Sequence, residues 1–180
     1  AGGTDYALLQ ETLPAAPAAA VGAGVLGVLA GLLFKAGGVP FHFWVPDAAQ
    51  GTGATAATFL TTVPKVGALV AVYRLVATVS AGDGSWLLVA ALLATASMVL
   101  GNLAAYWQTD PRRLLGWSTV AQVGFLLVPV AAAGRSDLAL PSLLFYLAAY
   151  AVTNVAAFAV TAALPEHREL ADYRGLARSR

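Results

Sequence analysis

The chain has 180 residues, 59% of them hydrophobic and only 11% charged, whereas an average soluble protein is about a quarter charged. A formal net charge of +1 is small and says little about nucleic acid, which is not expected as a partner, and the absence of cysteine excludes disulfides and thiolate metal or iron–sulfur sites. What remains is an integral membrane protein, or a piece of one.

Residues 1–14 carry no lysine or arginine and so do not read as the n-region of a cleaved signal peptide. A span needs about 20 apolar residues at about 1.5 Å each. The first such stretch is read over 16–36 and runs into Gly37-Gly38-Val39-Pro40. Glycine and proline weaken a helix, and a break in hydrocarbon survives only where protein or water satisfies the freed carbonyls. A link over 47–52 leads to a second helix over 54–79, interrupted by Pro64. Three more follow over 85–105, 113–133 and 141–164, joined by short links at 80–84, 106–112 and 134–137. No strand-like alternation supports a membrane barrel. The fold class is therefore all-α: a polytopic transmembrane bundle with a discontinuous helix, with 1–180 forming a fragment of one membrane domain.

Short links make consecutive helices antiparallel. Arg112, Arg113, Arg168, Arg174, Arg178 and Arg180 then fall on one side, and Arg135, with Arg74 near it, on the other. The positive-inside rule puts the C-terminal tail in the cytoplasm and residues 1–14 outside.

Two lysines stand within the apolar stretches. Lys35 precedes the Gly-Gly-Val-Pro break, and Lys65 follows Pro64 near the middle of its span; no Asp or Glu occurs in any of the five stretches. A lysine in hydrocarbon costs several kcal/mol (about 3 or more). A desolvated amine can exchange its proton near neutral pH. The functional reading is a proton relay or ion path. The plainer reading is snorkelling or a structural salt bridge. His42 in Pro40-Phe41-His42-Phe43-Trp44 either exchanges protons with water or holds the broken helix end by a hydrogen bond. Trp44 is expected as an interfacial anchor, and Asp47 as a cap of the second helix or a partner for a loop. Thr58, Thr61 and Thr62 either bind water near Lys65 or bond back to helix carbonyls. Gln122 and Asn154 are expected to make interhelical hydrogen bonds.

Phe34-Lys35, then Val39-Pro40-Phe41-His42-Phe43-Trp44-Val45-Pro46-Asp47 and Gln50-Gly51, resemble the seventh-helix signature of the antiporter-like subunits of respiratory complex I and of related sodium/proton antiporters. Thr58-Phe59-Leu60 through Pro64-Lys65 is similar to the subunit N branch, the counterpart of mitochondrial subunit 2. Asn102 to Ala105, Gln108-Thr109-Asp110, Arg113-Leu114-Leu115 and Ser118 resemble the entry to the tenth helix. Tyr146 to Phe158 resembles the eleventh, and Asp172-Tyr173-Arg174-Gly175-Leu176 the loop before the twelfth.

The resemblance implies an antiporter-like fold of inverted repeats, each with a discontinuous helix. It implies that Lys35 and Lys65 relay protons in mid-membrane, driven by quinone reduction elsewhere, as part of an NADH:quinone oxidoreductase in the bacterial cell membrane. It assigns no cofactor or metal to this chain. NADH, flavin and iron–sulfur clusters would sit in partner subunits, quinone would be the substrate of the complex, and other membrane subunits and the bilayer would be the partners. The family's fifth-helix glutamate and twelfth-helix lysine fall outside the chain. A histidine is common in the family where Gln122 stands, and an amide orients water but does not titrate. The alternatives are an Mrp-type cation/proton antiporter subunit and a non-pumping assembly element.

Overall fold

The computed structural model describes residues 3, 5–80 and 84–176. Residues 81–83 of one expected link, and Arg178 and Arg180 of the expected basic tail, lie outside the described residues. The chain forms α1 (Tyr6–Thr12), α2 (Ala18–Ala36), α3 (Trp44–Gly51), α4 (Ala54–Val79), α5 (Ser85–Tyr106), α6 (Pro111–Ala131) and α7 (Ala139–Ala163), with short 3-10 turns at Leu13–Ala15 and Leu170–Tyr173. Helices α2, α4, α5, α6 and α7 are each long and apolar enough to cross a membrane. The architecture is an all-α polytopic bundle.

Local chemistry explains the helix ends. Asp110 accepts hydrogen bonds from the backbone N–H groups of Arg112 (2.8 Å) and Arg113 (2.9 Å), and Pro111 occupies the first helical position. That N-cap and proline start α6 at Pro111, ahead of the expected residue 113. Helix α7 likewise starts at Ala139, before Pro141, because a proline in the first turn forfeits no helix bond.

The link expected over 47–52 is a helix. Residues Trp44–Gly51 form α3, so the first apolar stretch is a helix, a break and a second short helix. Asp47 sits in the first turn of α3 and does not cap α4, whose N-cap is Gly53. Its carboxylate pairs with Arg113 on α6, whose guanidinium also donates to Gln50 Oε1 at 3.0 Å.

Helices α5 and α6 approach closely. A Cβ on Gly101 would fall 2.5 Å from the Ala121 nitrogen, and one on Gly124 2.6 Å from the Met98 nitrogen. Backbones meet there because neither glycine has a side chain, the usual device for packing helices in lipid. The core gathers Leu33, Leu69, Val123, Leu126, Leu127 and Leu143, all nearly inaccessible. Large apolar side chains such as Phe145, Val152 and Leu88 point outward, as a bilayer permits.

Contacts fix the two ends of the bundle. Leu170 N donates to Thr109 O (2.8 Å), and Arg112 Nη1 donates to Thr52 O (2.9 Å). The α3–α4 link, the α5–α6 link and the tail therefore share one end. At the other end Gly84 lies against Arg135, and Gln10 and Leu13 lie over Thr78, Val79 and Trp86.

Candidate functional site

The break after α2 is closed by protein groups. Gly37 takes a left-handed φ of 76°, and the N–H groups of Gly37 and Gly38 return to Leu33 O at 2.8 and 2.9 Å. This satisfies carbonyls at the helix end, a geometry that favours glycine. Trp44 Nε1 donates to Phe34 O at 2.9 Å. Trp44 is thus a clamp between α3 and α2, a structural bond in addition to the interfacial place expected from the sequence. On the far side Val39 N donates to Ser97 Oγ of α5 at 3.0 Å, with Ser97 fully buried.

Lys65 points into this closed break. It is 0% exposed, a long side chain fully buried in the bundle. A Cβ on Gly37 would lie 3.4 Å from Lys65 Nζ, so the amine touches the break itself. Among the described residues its one hydrogen bond is a long 3.4 Å contact to Thr119 O on α6. An ammonium carries three donors, and one long bond does not satisfy them. No carboxylate occurs in α2, α4, α5, α6 or α7.

A polar layer lies beside the lysine. Thr58 and Thr61 bond back to Ala54 O (2.7 Å) and Ala57 O (2.8 Å). The Asn154 amide donates to Thr61 Oγ1 (2.9 Å) and Thr62 Oγ1 (2.7 Å). The Tyr150 hydroxyl donates to Thr61 O at 2.6 Å, and that of Tyr146 to Gln122 Oε1 at 2.6 Å. Asn154 and Gln122 thus make the interhelical bonds expected of buried amides. Tyr150, Thr119 and Ser97 escaped the sequence reading. The spacing of Tyr150 and Asn154, four apart on a helix otherwise poor in polar groups, was the signal that could have found Tyr150.

Lys35 is placed differently. It lies in the last turn of α2 and is exposed on the outside of the described bundle. The structure does not bring its side chain into the buried layer with Lys65. His42 sits in the break, half-buried, its ring 5.4 Å from that of Trp117. Its Nδ1 and Trp117 Nε1 are buried atoms without a protein partner, and both residues line an open groove of about 560 Å³ walled by α5. Among the described residues no cluster of His, Asp and Glu is arranged to hold a metal ion.

Comparison with known proteins agrees with this geometry. The family described as NADH:quinone oxidoreductase/Mrp antiporter, transmembrane, matches residues 8–180. The chain is 70% identical over 179 residues to NADH-quinone oxidoreductase subunit N of Mycobacterium sp. (strain JLS), covering 99% of this chain and 38% of that protein. It is 59% identical over 177 residues to subunit N 1 of Streptomyces griseus subsp. griseus, covering 98% and 37%. The chain thus spans little more than a third of these relatives. Among solved structures, a chain of the Mrp complex from Dietzia sp. DQ12-45-1b superposes with a TM-score of 0.77 at 28% identity, over 88% of this chain and 29% of that one. A chain of respiratory complex I from Thermus thermophilus with bound aureothin gives 0.61 at 36% identity, over 73% and 28%. With its bundle of spanning helices, its discontinuous helix and its buried lysine, the chain belongs to the NADH:quinone oxidoreductase/Mrp antiporter family of transmembrane proteins.

Proposed function

We propose that this chain is part of subunit N of a proton-translocating NADH–quinone oxidoreductase, in which Lys65 takes up and releases a proton beside the broken helix. The observation that carries the reading is the full burial of Lys65 against Gly37, with one long hydrogen bond and no carboxylate in the spanning helices. An intramembrane cation so poorly paired is expensive to keep for structure alone. The 70% and 59% identities to proteins named subunit N support the assignment to this branch. Lys35 is the second relay group in this reading. Its exposed place on a spanning helix implies further helices of the longer protein, or water, around it. His42 is a third candidate, half-buried in the break and lining the groove beside Trp117.

Quinone reduction in the assembled complex would supply the energy. NADH, flavin and iron–sulfur clusters would reside in other subunits, and other membrane subunits and lipid would surround this one. The C-terminal tail would be cytoplasmic. A second reading, a subunit of an Mrp-type cation/proton antiporter, is favoured by the TM-score of 0.77 to a chain of an Mrp complex. Lys65→Met in the full-length subunit, within its complex in proteoliposomes, tests the relay. Proton uptake per NADH oxidised should fall at least about tenfold with assembly intact; an unchanged ratio refutes the role of Lys65. An assembly that exchanges cations for protons without oxidising NADH would favour the second reading.

A further inference from the structure

Tyr150 and Asn154 are 5% and 7% exposed and lie one turn apart on a single face of α7. That face grips α4 at one place. Tyr150 donates to the Thr61 carbonyl, and Asn154 to the hydroxyls of Thr61 and Thr62. Pro64 follows two residues later. It gives no N–H to the Leu60 carbonyl, and its ring crowds the same turn. The turn before Pro64 is therefore the part of α4 held least by its own hydrogen bonds, and α7 holds it from outside. Lys65 is the next residue. A small change of direction at this turn swings a long side chain whose tip touches Gly37 and reaches Thr119 O.

We propose that Tyr150 and Asn154 are positioning residues for Lys65: by fixing the proline-weakened turn of α4, they hold the amine against the break after α2. The inference rests on the proton-transfer reading of Lys65. It adds that α7 controls the reacting amine through the turn of α4 that precedes it, so a tilt of α7 changes where Lys65 can exchange its proton. The charged and titratable groups of the elements around Lys65 are few. Helix α6 brings Arg112 and Arg113, α7 brings Tyr146 and Tyr150, α4 adds Tyr73 and Arg74, α2 brings Lys35, and His42 and Asp47 lie in and after the break.

The test uses the full-length subunit in its complex in proteoliposomes, with assembly checked by native gel. Tyr150→Phe, Asn154→Ala, Lys65→Met and a control, Thr161→Ala, are compared. Thr161→Ala removes a side-chain hydrogen bond to Phe158 O elsewhere on α7. Proton uptake per NADH oxidised is measured across pH. The expected result is a loss of about threefold to tenfold in Tyr150→Phe and Asn154→Ala, the size of one or two lost hydrogen bonds. The pH of half-maximal coupling should also move by about half a unit or more, and Thr161→Ala should leave that pH in place. An unchanged ratio and pH profile in both variants, or an equal displacement in Thr161→Ala, overturns the positioning role while a loss in Lys65→Met keeps the relay reading. If Lys65→Met retains full coupling, the relay reading falls and this inference with it. Failure of both Tyr150→Phe and Asn154→Ala to assemble makes the residues structural and also overturns the proposal.

Discussion

A lysine buried without a carboxylate partner is the most demanding feature among the described residues. Lys65 contributes little to folding, because its single long bond to Thr119 O does not offset the removal of an amine from water. An apolar side chain of similar length would fill the same space without that penalty. Lys65→Met should therefore leave thermal stability in detergent unchanged or raise it by about 1 kcal/mol, even as coupling is lost. A fall in stability of several kcal/mol (about 3 or more) would mean that the amine is a structural partner. The pairing of Asp47 with Arg113 is a contrasting case. The side chains are 69% and 34% exposed, so Asp47→Asn should cost less than about 1 kcal/mol in a thermal melt. Lys65, Pro64 and the two threonines before it were legible in the sequence as a polar interruption of an apolar run. Thr119 was not, because its contribution is a backbone carbonyl, and any residue type supplies one.

At the scale of elements, the proline and glycine breaks are tolerated because neighbouring helices complete the broken hydrogen bonding. Trp44, Ser97 and the Gly37–Gly38 turn do this for α2 and α3, and in α4 Tyr150 braces the turn before Pro64 by donating to the neighbouring Thr61 carbonyl. The α5–α6 seam depends on the missing Cβ atoms of Gly101 and Gly124, both of which face backbone atoms. Gly124→Val would force the helices apart. We expect a loss of at least about 2 kcal/mol, read as a lower midpoint in detergent unfolding, and a midpoint within error of the wild type would show the seam to be compliant. The five apolar stretches were legible because each is long enough to cross a bilayer. Helix α3 was not, because residues 47–52, just after Pro46, read as a link; only packing against α6 and the clamp from Trp44 show Trp44–Gly51 as a helix.

For the whole molecule, the arrangement of ends decides which links lie on the same side. The α3–α4 link, the α5–α6 link and the tail meet through Thr52, Arg112, Thr109 and Leu170, while Gly84 and Arg135 meet at the opposite end. The arginines at 112, 113, 168 and 174 share the first end, the end that the proposed function places in the cytoplasm. The 180 residues contain no cysteine, which simplifies a test with single Arg174→Cys and Ser136→Cys substitutions in the full-length protein, its other cysteines replaced. A membrane-impermeant maleimide should label position 136 in intact cells and position 174 only in inverted vesicles. The reverse pattern would invert the assignment.

The sequence by itself determined the solvent of this protein, the number of spans and the residues out of place in that solvent. Composition and run length are enough for this, because the energy of inserting a helix into lipid is set residue by residue along the segment. The seventh-helix motif was enough to point to the family. The tertiary structure decided which of the two lysines is enclosed. Lys35 and Lys65 are alike in sequence, each beside a helix breaker, yet Lys65 is sealed against Gly37 and Lys35 faces outward. Which face of a helix is covered depends on what packs against it. In helices that are apolar all round, no amphipathic pattern records that choice, and only the packing of α4 against α2, α6 and α7 makes it.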